Sequence, residues 1–92
     1  MFDLIEMRNI AIDVNSLIGS ISSEIRIKER LLEDREEYLK ENFSAENYVD
    51  AVTRPYYSIL IDENKENIKE LKYFKKQLIQ IKDNLEKLEA NL

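Results

Sequence analysis

The stretch "YYSILIDENKENIKELKYFKKQLIQIKDNLEKLEANL", residues 56–92, decides the fold. Tyr57, Leu60, Asn64, Asn67, Leu71, Phe74, Leu78, Ile81, Leu85, Leu88 and Leu92 recur at alternating steps of three and four, with only the two asparagines polar. Steps of this kind place side chains on one face of an α-helix and form a heptad seam. Ile61 and Ile68 widen the seam on one flank, while pairs such as Asp83–Lys87 and Lys82–Glu86 support the opposite face at helical neighbour spacing. The spacing predicts one helix over about 55–89.

Moving outward, Thr53 reads as a helix cap, and Pro55 as a residue of the first turn, where a missing N–H costs nothing. Ser44 reads as the cap of a short helical connection over about 44–53. Before it, Leu4, Ala11, Ile18, Ile25, Leu32 and Leu39 repeat every seven residues, with Met7, Val14 and Ile21 as partners three residues on. Ile10 and Leu17 broaden that stripe, and beyond Ile25 the partners become Lys28, Arg35 and Asn42. This predicts a helix over about 2–41 whose wide apolar face needs two packing neighbours. Gly19 admits three readings: a tolerated glycine, a close helix crossing with Ser16, Ser20 and Ser23, or a break with Ser20 capping a new helix.

Composition agrees. With 92 residues the chain makes one small domain, and a single Gly and a single Pro leave too few turns for an all-β or α/β fold. Two long helices with a short connection fold back as an antiparallel hairpin. The expected fold is therefore all-α, a helical hairpin that assembles into a four-helix bundle. The apolar surface beyond the hairpin seam, namely Ile10, Leu17, Ile21, Ile61 and Ile68, is expected to mediate self-association, most simply as a homodimer. Buried asparagine in a seam fixes register and oligomer state, so Asn64 and Asn67 serve either that purpose or a solvated, splayed end.

Several chemistries are disfavoured by composition. There is no cysteine and no histidine, so neither a disulfide framework, a thiolate nor an imidazole base is available. No enzyme activity, metal or cofactor is expected. The acid-rich segment Glu33–Glu41 reads as a solvated helix face, since helical di-metal sites use a Glu-x-x-His pair. The net charge is −5, and all of the excess lies in residues 1–46, which hold eleven acids and six bases. Such a chain is a poor nucleic-acid binder. The beginning of the sequence does not read as a secretory signal, and no apolar run approaches the ~20 residues that span a bilayer. A cytoplasmic, acidic protein is the expectation.

The corner around Pro55 supplies the binding candidates. Arg54 and Tyr56, with Tyr48 nearby, are residue types of interaction hot spots, and Lys65, Lys69, Lys72 and Lys76 form a basic stripe. The stripe is expected to pair with acids of the first helix or to touch an anionic ligand. Two functions follow as expectations: a self-associating, non-enzymatic protein–protein interaction module acting as a small regulator or inhibitor, or an oligomer binding a small anion such as a nucleotide.

Overall fold

The computed structural model describes residues 3–42 and 48–91, and the side chains within those ranges except at 42 and 48–52. The protein is an antiparallel hairpin of two long helices, α1 (Leu4–Asn42) and α2 (Tyr48–Ala90), packed along their lengths, with no strand among the described residues. It is a rod of 69 × 15 × 14 Å with a radius of gyration of 20.4 Å. A globular chain of this length would have a radius of about 12 Å. A two-helix rod offers only one internal seam, and the burial pattern reflects this.

That seam is a regular heptad pair. On α1 it uses Ala11, Ile18, Ile25, Leu32 and Leu39 (row a) and Met7, Val14, Ile21, Lys28 and Arg35 (row d), all buried or half-buried. On α2 it uses Ile61, Ile68, Lys75, Lys82 and Glu89 (row a) and Tyr57, Asn64, Leu71, Leu78 and Leu85 (row d). The α1 rows are those expected from the heptad. The α2 seam corrects the expectation: Tyr57, Asn64, Leu71, Leu78 and Leu85 do face α1, but Ile61 and Ile68 turn inward with them and are only 7% exposed. Phe74, Ile81 and Leu88 are left outside. The lysines in the inner row are accommodated because their aliphatic stems cover apolar surface while the ammonium reaches water.

The helix ends also depart from expectation. α2 begins at Tyr48 and runs through Thr53 and Pro55, so Pro55 is interior and Thr53 is not a cap. Pro55 lies on the exposed face, and it has no N–H to donate to the preceding turn. The expected Ser44 cap lies outside the described residues, and residues 48–53 of the expected short connecting helix are the start of α2 itself. At the other end, Asp3 caps α1: its Oδ1 accepts from the Glu6 backbone N–H at 2.8 Å. Asp-x-x-Glu is a variant of the capping box, a signal the heptad reading passed over.

α1 is continuous through Gly19, and a Cβ built there meets nothing within 4 Å. Of the three readings only the tolerated glycine survives, since a close crossing would crowd that position and a break would end the helix. Gly19→Ala is therefore expected to stabilise the hairpin by about 1 kcal/mol, raising Tm by roughly 4–8 °C in a thermal melt.

Candidate interaction surfaces

The two flanks of the seam differ in kind. In an antiparallel pair, row e of one helix adjoins row e of the other, and row g adjoins row g. The e flank is ionic. Glu36 pairs with Lys65 at 3.5 Å, Glu29 with Lys72 at 3.9 Å, and Arg8 Nε with Glu89 Oε1 at 3.1 Å. The first two bridges link the basic stripe to acids of the first helix, as expected for Lys65 and Lys72, and the third runs the other way, from a base of α1 to an acid of α2. Each is solvent-exposed and contributes at most about 1 kcal/mol, so they orient the helices more than they hold them.

The g flank is apolar. Ile10, Leu17, Leu31 and Tyr38 of α1 stand beside Leu60, Phe74, Ile81 and Leu88 of α2. Leu17 is 51% exposed, Phe74 54% and Leu88 55%, while Ile10 and Leu60 are half-buried. Tyr38 stacks on Tyr57 at 5.2 Å between ring centroids, and Tyr56 meets Tyr57 edge-on at 6.2 Å, so aromatic surface closes the end near the connection. The polar members of the row are Glu24, which pairs with Lys28 of its own helix at 3.5 Å, and Asn67. Three of the seven heptad rows per helix, a, d and g, are thus largely apolar, which is the pattern of a helix with more than one packing neighbour.

Outside row g lies row c, and its charge is one-signed. It holds Glu6, Asp13, Asp34 and Glu41 on α1 and Glu63 and Glu70 on α2, and no Lys or Arg occupies rows c or g among the described residues. None of these six carboxylates enters an ion pair within the described residues. Half of the fourteen cations stand on the opposite side, in rows e and b: Arg8, Arg26, Lys40, Lys65, Lys69, Lys72 and Lys76. A shallow groove there is lined by Arg26, Glu29, Lys72, Lys75 and Lys76 with Ile25 and Ile79 at its floor.

This arrangement divides the candidates at the corner. Arg54 and Lys65 line one hollow on the ionic side, and Lys72 lines the groove beside it. Lys69 borders a separate hollow with Tyr73 and Phe74 on the outer face of α2. Tyr56 belongs to row c, on the other side from Arg54, so the two do not form one site. The side chain of Tyr48 lies outside the described residues. Of the expected self-association set, Ile10, Leu17 and Ile21 keep partial or substantial exposure, whereas Ile61 and Ile68 are consumed by the hairpin and are unavailable to a partner. Phe74, Ile81 and Leu88, which the heptad read from sequence placed in the contact with α1, are exposed instead.

Inside the seam, Asn64 is 8% exposed and its Oδ1 accepts from Arg35 Nη1 at 2.8 Å, while its Nδ2 has no partner. Turning the amide over would set its NH2 against the guanidinium donor, so the orphan donor cannot be relieved that way. Asn67, by contrast, is exposed. The Arg35–Asn64 bond is a register mark for the two helices, obtained at the cost of one unmet donor. Asn64→Leu is expected to raise stability by about 1–3 kcal/mol, as it removes a buried unsatisfied group and adds apolar contact while Arg35 still reaches water. Chemical denaturation measures this directly, and an unchanged midpoint would show that the amide is solvated.

Glu33, Asp34, Glu36, Glu37 and Glu41 are all exposed. Among the described residues no three His, Cys, Asp or Glu side chains gather to hold a metal ion, and no helix is long and apolar enough to cross a membrane. No known protein family, characterised protein or solved structure matches this chain.

Proposed function

We propose that this chain is a non-enzymatic helical interaction module that self-associates through its apolar side and acts as a small regulator or inhibitor by docking that side on another protein. The observation that carries the reading is the apolar g row, shared by both helices and adjoining the seam. A side about 69 Å long and 15 Å wide has a footprint of roughly 1,000 Å², polar and apolar residues together, comparable with the ~800 Å² per partner of a stable interface. Monomeric proteins rarely leave contiguous apolar surface larger than a few hundred Å². A homodimer closed through these faces is a four-helix bundle, in which rows a, d and g of every helix are internal. The absence of His and Cys from the sequence supports a non-enzymatic role, and a cytoplasmic setting accords with a chain free of cysteine. Sedimentation equilibrium tests the reading: a dimer is expected at micromolar concentration, and a monomer at high micromolar concentration would overturn self-association.

The groove at Arg26, Lys72, Lys75 and Lys76 favours a second reading, an oligomer that binds a small anion such as a nucleotide on its ionic side. Ligand bound to the folded state raises Tm by mass action, so a thermal-shift panel of nucleotides tests it. Under this reading Lys75→Gln with Lys76→Gln abolishes the shift; no shift across the panel removes the reading.

A further inference from the structure

We infer that the segment of another protein that docks on the apolar side is a basic amphipathic α-helix, lying in the trough between α1 and α2 with its Lys or Arg flanks against the acidic rims. The inference rests on the proposed use of this side as a docking surface and adds the chemistry of the occupant. The trough is floored by Leu31, Phe74, Ile81 and Leu17, and the only charged side chains on its outer edges are carboxylates, interspersed with uncharged residues such as Ile27, Gln77 and Asn84. Near the connection Asp34 of α1 stands level with Glu63 of α2, with Glu41 and Glu70 one heptad further along their own helices.

A third helix packed in the groove between two others turns its a and d residues to the floor and its e and g residues to the two edges. Long cationic side chains at those flanks extend their stems over Leu31 and Phe74 and bring their charges to the rims. The six rim carboxylates have no partner within the described hairpin, so a cationic flank meets charges that are not already paired. No Lys or Arg of the described residues stands in the floor or rim rows, and Lys69, Arg30 and Lys87, the cations on the outer faces, make no ion pair with the rim acids.

A second copy fits the apolar floor but brings more acid to the rims. With the connections at the same end, the register sets Asp34 of one copy near Glu63 of the other. With the connections at opposite ends, Asp13 comes near Asp34. Self-association is therefore opposed by the rims, whereas a basic helix is attracted by them. The two complexes respond to salt with opposite sign, because screening weakens attraction and repulsion alike.

The test uses the full chain and a labelled amphipathic peptide of about three heptads, with Leu at a and d and Lys at e and g, compared with the same peptide carrying Glu at e and g. Fluorescence anisotropy is expected to show binding of the Lys peptide at least tenfold tighter than the Glu peptide, weakening as salt rises, while the dimer followed by sedimentation tightens. The rim variant Asp34→Asn, Glu41→Gln, Glu63→Gln, Glu70→Gln is expected to lose tenfold or more in affinity for the Lys peptide and to dimerise more tightly. A variant with the same change in net charge on other faces, Glu33→Gln, Asp62→Asn, Asp83→Asn, Glu86→Gln, is expected to bind like the wild type. Equal binding of the two peptides, no binding of either, or an equal loss in both variants would overturn the inference. A dimer without charge preference leaves the docking reading standing. A chain that stays monomeric and binds neither peptide removes both.

Discussion

Leu17→Glu combined with Ile81→Glu is expected to abolish self-association while leaving the hairpin folded. The two residues sit level across the trough, 51% and 45% exposed, so in the single hairpin each can carry a carboxylate that still reaches water. In a face-to-face dimer the same positions lie in the centre of the interface, and four carboxylates would be desolvated in a space already rimmed by acid. An uncompensated buried charge costs several kcal/mol, and every 1.4 kcal/mol is tenfold in affinity. Dimer affinity should therefore fall by well over a hundredfold. Sedimentation equilibrium reads the loss, and circular dichroism is expected to show the helix content retained. A variant that remains dimeric would move the interface to another face.

The second large effect lies inside the seam. Ile68→Ala is expected to cost about 2–5 kcal/mol, the range for truncating a large buried aliphatic side chain. Ile68 is one of five buried apolar residues among those described, with Met7, Val14, Ile25 and Ile61, and no side chain in the rod is fully enclosed. Stability of small domains is commonly about 5–15 kcal/mol, so this one truncation removes a large share. At roughly 4–8 °C per kcal/mol, Tm should fall by about 10 °C or more. The matched control is Ile12→Ala on α1, where the side chain is 65% exposed and the change is expected to stay within about 0.5 kcal/mol. Equal losses at the two positions would contradict the burial pattern of the seam.

The contrast between Ile68 and Phe74 shows where the periodicity stops being informative. Both sit beside the row Tyr57, Asn64, Leu71, Leu78 and Leu85, one on each flank. A heptad can be read as using either flank, and the choice amounts to turning α2 about its axis by about 50°, half the angle between successive residues. The more apolar flank, with Phe74, Ile81 and Leu88, looked like the natural partner of α1. In the folded chain α2 turns the other way, which buries Ile61 and Ile68, sets Asn64 against Arg35, and brings Lys65 and Lys72 to Glu36 and Glu29. The result leaves the richer flank exposed. The separation of two binding candidates has a similar origin. Arg54 and Tyr56 are close in sequence, but two residues apart on a helix point to different sides.

Pro55 is a second instance. Its neighbours have the same composition whether it opens a helix or stands two turns inside one, so local signals could not choose between them. The Asp3 cap and the continuity through Gly19 depend only on residues within a turn, and those signals were present to be read.

Local chemistry alone determined that this chain is two long helices, that α1 meets its neighbour through the Ala11–Leu39 and Met7–Arg35 rows, and that the apolar surface exceeds what one seam can hide. Each of these follows from hydrogen bonding and side-chain spacing within a helix. The facing of α2, the separation of an apolar, acid-rimmed side from an ionic one, and the burial of Asn64 were decided only in the tertiary structure. They depend on which residues of one helix come level with which residues of the other, and no interaction within a single helix sets that rotation and register.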